Sequence, residues 1–308
     1  MLGAYITHPG SLLHEMGPDH PDCPSRVSAI DDYLRAHGVL DFVLCRDAPA
    51  ATAGQVERAH STLYVAELAA AAPASDYRRI DPDTMMNRHT LDAAWHAAGA
   101  AILATDLVVQ RVVPSAFCNV RPAGHHATRD AAMGFCFFNN AAVGIRHALT
   151  GLGLQRIALI DFDAHHGNGS QDILAHDERV LMVSVYERGL YPYNADIADG
   201  GNMCNVPLAR YTRGDALREA VATRWLPALD AFRPQMLFVS AGFDAHREDD
   251  MSHLLWTDDD YAWLTRQIVA VAQRHAEGRI VSVLEGGYAL RSLARSAGAH
   301  VKALLRVD

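Results

Sequence analysis

The chain has 308 residues, half of them hydrophobic, and a net charge of −9. It is long enough to bury a large core, and its dispersed lysines and arginines argue against nucleic-acid binding, because phosphate neutralisation needs a basic face. The five cysteines are scattered and never spaced Cys-x-x-Cys, which argues against a disulfide framework and a thiolate zinc site.

Apolar runs of strand length alternate along the chain with segments of helical spacing. The runs are Ser115 to Val120, Ile157 to Ile160, Val180 to Val185, Met236 to Ala241 and Ile280 to Leu284. The helical segments are Phe138 to Leu149, Ala216 to Phe232 and Tyr261 to His275. Continuous apolar runs are typical of parallel strands buried on both faces. We therefore predict one α/β domain over residues 1–308, built on a mostly parallel sheet.

Each of these runs ends in a polar cluster, and parallel sheets bind ligands in the crevice beyond the carboxyl ends of their strands. In the cluster Asp161 to Gly169, the side chains of Asp163 and His165 are two residues apart and point the same way in an extended segment. Carboxylate oxygen and imidazole nitrogen suit a borderline divalent cation such as zinc. Such residues can also merely solvate a sheet edge, but five clusters at one edge favour a single site.

The tandem pair His125 and His126 follows the first run, behind Pro122 and Gly124. Tandem imidazoles offer a general base and a separate acid or electrostatic partner with pKa values near working pH. Imidazoles used in this way need acceptors on their far nitrogens. The loop after the second run supplies two candidates, Asp161 and Asn168.

Six motifs in this order resemble the histone deacetylase superfamily. They are His-Pro-Asp-Cys-Pro-Ser-Arg at 20–26, Arg-Pro-x-Gly-His-His-Ala at 121–127, Gly-Phe-Cys-x-Phe-Asn-Asn at 134–140, Asp-x-Asp-x-His-His-Gly-x-Gly at 161–169, Ala-Gly-Phe-Asp-Ala-His at 241–246 and Leu-Glu-Gly-Gly-Tyr at 284–288. Asn168 and the last motif look like the class II branch and its bacterial relatives. The resemblance implies a three-layer αβα arginase-deacetylase fold, with the active site at the carboxyl ends of the strands.

The resemblance also implies a Zn²⁺ ion with three protein ligands, Asp163, His165 and Asp244, and Fe²⁺ can replace it in such sites. The metal and Tyr288 would polarise an acyl amide carbonyl. His126 would exchange protons with water and the leaving amine, while His125, held by Asp161, would stabilise developing charge. The two histidine roles can be exchanged without contradicting the sequence.

Two further groups of residues follow from the resemblance alone. A structural monovalent cation, usually K⁺, would lie at Asp161, Asp163, His165, Ser184 and Val185. A narrow tunnel for an alkyl chain would be formed by Gly134, Phe135, Tyr191 and Met251. Arginase-like ureohydrolases share the fold and bind two Mn²⁺ ions, but Gly167 stands here at the position of their bridging aspartate, so we expect one metal.

The resemblance predicts a zinc-dependent hydrolase that removes acetyl or other short acyl groups from N-acyl-lysine side chains in a peptide or protein. Deacetylation of acetylated polyamines is the alternative. Polyamine-selective members place an acidic gatekeeper seven residues after the third ligand, where this chain has Met251, although Glu15, Asp249 and Asp250 lie in segments that can line a mouth. A protein that binds acylated ligands without hydrolysing them is a further alternative, which the intact Tyr288 disfavours.

No run of 18 apolar residues occurs, and the N-terminal segment lacks the basic and apolar regions of a signal peptide. We therefore expect no membrane span and a cytoplasmic location. The sequence gives no indication of oligomeric state, acyl-chain length or pathway.

Overall fold

The computed structural model of the protein describes residues 2–193 and 199–307. The strands are β1 (Gly3–Thr7), β2 (Val43–Asp47), β3 (Arg78–Arg79), β4 (Met85–Met86), β5 (Ser115–Cys118), β6 (Ile157–Asp161), β7 (Val180–Glu187), β8 (Met203–Leu208), β9 (Met236–Ala241) and β10 (Ile280–Leu284). Eight of them form one sheet in the order β2-β1-β5-β10-β9-β6-β7-β8, and every neighbouring pair is parallel. The remaining two, β3 and β4, form a small antiparallel hairpin.

Helices cover both faces of the sheet. They are α1 (Gly10–Leu13), α2 (Ser25–Ala36), α3 (Ala53–Val56), α4 (Thr62–Ala71), α5 (Thr90–Val109), α6 (Asn140–Thr150), α7 (Asn168–Leu174), α8 (Gly214–Ala220), α9 (Leu226–Phe232), α10 (Asp258–His275) and α11 (Leu290–Leu305). A short 3₁₀ helix precedes β2, and a π turn joins α8 to α9. Among the described residues, no helix is long and apolar enough to cross a membrane.

Two separate apolar cores explain the three layers. In β6, Ile157 and Leu159 belong to the core that includes α5 and α6, whereas Ala158 and Ile160 belong to the core that includes α2, α10 and α11. Alternate side chains of a strand point to opposite faces, so a strand between two cores must be apolar throughout. This is why the predicted strands appear in the sequence as uninterrupted apolar runs.

The predicted three-layer α/β fold with a parallel central sheet is confirmed, and the five predicted strands are β5, β6, β7, β9 and β10. The first of them ends at Cys118 rather than Val120. The helix predicted over Ala216 to Phe232 is interrupted by the π turn Val221–Trp225. Strand β8 was not predicted, because Asn205 and Pro207 interrupt its apolar pattern at the edge of the sheet.

Candidate active site

The polar clusters that follow β5, β10, β9, β6 and β7 meet at one edge, because these five strands are neighbours in the sheet. Asp161, the last residue of β6, is in register with Ser184 of β7 and with Ser240 of β9. The loops that leave these strands therefore start at the same height. Their side chains can reach a common centre although they are far apart in the chain.

Asp163, His165 and Asp244 form a buried group of potential metal ligands. One donor atom from each residue lies within 4.8 Å of the others. His165 Nδ1 lies 3.0 Å from Asp163 Oδ1 and 2.9 Å from Asp244 Oδ2. One imidazole nitrogen and two carboxylate oxygens thus converge on one point, and this donor set suits a divalent cation.

Electrostatics and backbone geometry both fit a cation at this point. Burial and the neighbouring carboxylate of Asp163 raise the pKa of Asp244 to about 6. Gly286 closes over both carboxylates, since a Cβ there would lie 2.4 Å from Asp244 Oδ2 and 2.6 Å from Asp163 Oδ2. Its backbone N–H donates to Asp163 Oδ2 at 2.8 Å. Two buried carboxylates with oxygens within 4.8 Å of each other are costly without positive charge, and a bound metal ion would supply that charge.

His125 and His126 lie beside this group, with ring centroids 4.1 Å apart. His125 donates its Nδ1–H to Asp161 Oδ2 at 3.1 Å. His126 donates its Nδ1–H to Asn168 Oδ1 at 2.7 Å. The structure thus gives each imidazole a different acceptor, one charged and one neutral, and leaves both Nε2 atoms directed away from these acceptors.

The different acceptors give the two imidazoles different charges. Burial disfavours the His125 cation, but the carboxylates of Asp163 and Asp161 outweigh burial and raise the pKa of His125 to about 10. Burial lowers the pKa of His126, and the positive charge of the neighbouring His125 lowers it further. At neutral pH, His126 is therefore the neutral imidazole, which can accept a proton.

A cavity of about 170 Å³ leads from the surface to these groups. All four residues predicted to bind the substrate chain line it, namely Gly134, Phe135, Tyr191 and Met251. Three predicted catalytic or ligand residues, His126, His165 and Tyr288, line it as well. The other lining residues are Asp83, Leu190 and Tyr193. The Phe135 and Tyr288 rings are nearly perpendicular, with centroids 6.0 Å apart. Aromatic walls around a narrow cavity suit an extended alkyl chain.

Gly134 allows the walls of this cavity to approach each other. Its φ is +55°, and a Cβ there would lie 2.6 Å from Cδ2 of His126 and 2.8 Å from a ring carbon of Tyr191. No other residue fits this space without moving a ring. The position therefore requires glycine for backbone and packing reasons together.

Tyr288 lies against Arg26, whose guanidinium carbon is 4.7 Å from the centre of the tyrosine ring. Arg26 also donates to the backbone oxygens of Gly287 at 2.6 Å and Glu285 at 2.5 Å. Burial raises the pKa of Tyr288, so its hydroxyl keeps its proton and can donate a hydrogen bond.

Residues 20–304 match the family model described as "Histone deacetylase domain". The chain belongs to the histone deacetylase family. It is 35% identical to a probable deacetylase of Archaeoglobus fulgidus, over 94% of this chain and 82% of that protein. It is 36% identical to the mouse polyamine deacetylase HDAC10, over 92% of this chain and 45% of that protein. A type-2 histone deacetylase of Dictyostelium discoideum is 38% identical over 72% of this chain, which spans only 14% of that protein.

The crystal structure of the HDA15 HD domain superposes with a TM-score of 0.91 at 30% identity, covering 100% of this chain and 89% of that one. The predicted family membership and fold are thus confirmed. As a member of this zinc-dependent family, the protein is an amide hydrolase of the deacetylase type that acts on acetylated compounds. Asp163, His165 and Asp244 are a group in it that can hold a metal ion.

A second group in this histone deacetylase, His8, Asp92 and His96, also has donor atoms within 4.8 Å of one another. His8 Nδ1, however, accepts the backbone N–H of Gly10 at 3.1 Å. In the neutral ring the proton then lies on Nε2, so neither nitrogen has a free lone pair for a metal. His8 thus bonds the backbone at the start of α1, and its ring stacks on His96 at a centroid distance of 3.5 Å.

The residues predicted to hold K⁺ lie together where β6 and β7 end. Ser184 is paired in register with Asp161, and Val185 is fully buried beside it. The Ser184 hydroxyl is buried and has no hydrogen-bond partner within residues 2–193 and 199–307. A buried oxygen without a partner is available to a cation.

Three residues near the site were not assigned roles from the sequence. Asp83 lines the cavity from the β3–β4 hairpin, and no motif points to it. Glu285 is fully buried and accepts the backbone N–H groups of Gly124 at 2.7 Å and His125 at 3.0 Å, and burial raises its pKa to about 7. Asp249, expected only as a residue that can line the mouth, is buried and bonds to the backbone of Tyr288.

Proposed function

We propose that this histone deacetylase family member removes acetyl or other short acyl groups from the Nε atom of acyl-lysine in peptides or proteins. The observation that supports this most directly is the aromatic cavity that ends at His126, His165 and Tyr288. A lysine side chain is a linear alkyl chain with the amide at its tip, and it fits a narrow apolar passage. Amide hydrolysis needs a proton acceptor and a hydrogen-bond donor at that tip, and His126 and Tyr288 supply them.

In this proposal, Asp163, His165 and Asp244 would hold Zn²⁺, or Fe²⁺ in its place. A bound ion would polarise the acyl carbonyl and lower the pKa of a water molecule to about 7. The support from this chain is the convergence of three buried donor groups with an excess of negative charge. In the second group, His8 Nδ1 already accepts a backbone N–H, so this group is a poor metal site. One catalytic ion per chain is therefore expected.

His126 accepts a proton from the attacking water through Nε2 and later donates one to the departing lysine amine. Its Nδ1–H stays bonded to the neutral amide oxygen of Asn168, which keeps the ring oriented without charging it. His125, charged and bonded to Asp161, stabilises the negative charge that develops on the substrate. The opposite pKa directions of the two rings favour this assignment over the exchanged one.

Tyr288 donates its hydroxyl proton in a hydrogen bond to the substrate carbonyl oxygen as that oxygen gains charge. One such donor is typically worth about 3 to 4 kcal/mol of transition-state stabilisation. The K⁺ ion proposed at Asp161, Asp163, His165, Ser184 and Val185 would hold the loop after β6 in place. The unpartnered Ser184 hydroxyl supports that proposal.

Acetylated polyamines are the second candidate substrates, and Asp83 favours them. It lines the cavity beside Tyr191 and Tyr193, and its carboxylate would attract a second positive charge on the substrate. Met251, on the other hand, lines the same cavity with an apolar side chain and favours acyl-lysine. The two residues thus act in opposite directions on the selectivity between these substrates.

The experiment compares kcat/KM for an acetyl-lysine peptide and for an acetylated diamine with the zinc-loaded protein. Asp163→Ala is the control for metal-dependent turnover. A preference for the peptide of tenfold or more supports the proposal, and a preference for the diamine supports the alternative. Single-turnover assays of the same protein test the further alternative of binding without hydrolysis, which predicts an unchanged ligand after mixing.

Cytoplasmic location and a single catalytic domain over residues 1–308 belong to the same proposal. The match of the family model over residues 20–304 supports the second. Limited proteolysis that leaves one resistant fragment of nearly full length is the expected outcome.

A further inference from the structure

The carboxylate of Asp249 accepts three backbone N–H groups from two different loops. Oδ2 accepts from Tyr288 at 2.6 Å and from Ala289 at 2.9 Å, and Oδ1 accepts from Met251 at 3.1 Å. Its neighbour Asp250 is exposed, whereas Asp249 is 6% exposed. A buried carboxylate that is satisfied entirely by backbone amides holds those amides in fixed positions.

Two of the three amides belong to the segment that leads from β10 into α11. Ala289 is the residue before the first turn of α11, and its side chain cannot cap the helix. Asp249, from another loop, accepts the N–H groups of Tyr288 and Ala289 just before this turn, and its negative charge lies near the positive end of the helix. The start of α11, and with it Tyr288, is therefore held from outside its own segment.

The other side of the same segment is held by Arg26, which donates to the carbonyl oxygens of Glu285 and Gly287. Arg26 thus fixes carbonyl groups of this segment, and Asp249 fixes N–H groups of it. Asp249 is the partner that holds the backbone amide of Tyr288 itself. A shift of this amide would move the tyrosine ring relative to the cavity.

We propose that Asp249 is a positioning residue, which holds the Tyr288 hydroxyl at the height of the substrate carbonyl and couples it to the cavity wall at Met251. The inference rests on the proposed role of Tyr288 in turnover. The Asp249 carboxylate bonds the backbone N–H groups of both Tyr288 and Met251. This one carboxylate therefore sets the distance between the Tyr288 hydroxyl and the cavity wall at Met251. Asp249 itself is not among the residues that line the cavity.

A double-mutant cycle on kcat tests this coupling, using zinc-loaded protein and an acetyl-lysine peptide. Asp249→Asn keeps the shape but loses at least one acceptor, and we expect kcat to fall about tenfold; Asp249→Ala loses all three, and we expect about a hundredfold. In a Tyr288→Phe background, both effects should shrink to within about twofold, because the hydroxyl to be positioned is gone.

Equal losses in the two backgrounds would overturn the inference, because a merely structural residue acts whether or not the hydroxyl is present. Unchanged kcat in Asp249→Asn and Asp249→Ala would overturn it as well. If Asp249→Ala fails to fold, as judged by its thermal transition and metal content, the Asp249→Asn arm alone decides. A Tyr288→Phe variant with full activity would instead overturn the proposed function, so the two failures are distinguishable.

Asp259→Asn is the control, since it removes the same charge from an exposed position on α10. We expect its kcat and KM to equal those of the parent protein. A second readout follows from the bond to Met251: Asp249→Asn should change the ratio of kcat/KM for acetyl and longer acyl groups, whereas Asp259→Asn should not.

Discussion

His126 donates its Nδ1–H to the amide oxygen of Asn168 at 2.7 Å, while the adjacent His125 donates to the carboxylate of Asp161. A neutral acceptor leaves the His126 ring neutral, and a charged acceptor favours the His125 cation. The segment from the end of β6 to the start of α7 supplies both acceptors, so one short segment sets the protonation states of two neighbouring imidazoles. This difference underlies the assignment of His126 as the proton acceptor.

Asn168→Asp places a carboxylate on His126 and should raise the pKa of that imidazole by about one to two units. The proton acceptor must be neutral, so its protonation at low pH sets the acidic limb of the rate profile. We expect this limb in kcat/KM to move to higher pH by the same amount. Asp172→Asn on the same helix is the control, and an unmoved limb in Asn168→Asp would exclude His126 as the base.

Removal of the metal should abolish turnover and lower the stability of the folded state. A ligand present at about 100 times its Kd stabilises a protein by about 2.7 kcal/mol, so chelation should lower the melting temperature and one equivalent of Zn²⁺ should restore it. Metal analysis should find one tightly bound ion per chain in His96→Gln and none in Asp244→Ala. Loss of the ion in His96→Gln would show that the second histidine group binds it.

Gly134→Ala should lower both activity and stability, because the new Cβ would overlap the rings of His126 and Tyr191. Such overpacking costs about 1 to 3 kcal/mol, and the positive φ adds to this. Gly189→Ala is the matched control, since its φ is +75° and nothing lies within 4 Å of its Cβ position. Equal loss of stability in urea unfolding of both variants would mean that only the backbone angle matters.

His300 should make folding sensitive to acid. It is fully buried between Thr265 and Ser282, and burial lowers its pKa from 6.5 to about 3. Between these values the unfolded chain binds a proton that the folded protein does not, so the contribution of His300 to stability is complete above pH 6.5 and falls as the pH falls. Between pH 7 and pH 5, this titration lowers the free energy of unfolding by about 2 kcal/mol.

The His300→Gln variant lacks this titrating group. Although it is less stable overall, the change in its free energy of unfolding between pH 7 and pH 5 should be smaller by that same amount. Urea unfolding at the two pH values measures it, and an identical pH dependence in parent and variant would contradict the assignment.

The central strands were predictable because burial on both faces leaves no room for polar residues, as in β6. The candidate ligand Asp163 was equally visible, since it lies two residues after the end of such a strand. Asp249 and Asp83 were not assigned roles for a physical reason: the first acts on an amide 39 residues away, and the second reaches the cavity from a two-stranded hairpin. Contacts between separate loops leave no local pattern in the sequence.

The most direct test of the account is the rate of acetate release from an acetyl-lysine peptide by the zinc-loaded protein and its Tyr288→Phe variant, with bound zinc measured in both. The account predicts a full complement of zinc in both proteins and a kcat lower by about a hundredfold or more in the variant. Equal rates in the two proteins, or a parent protein that binds zinc and releases no acetate, would contradict it.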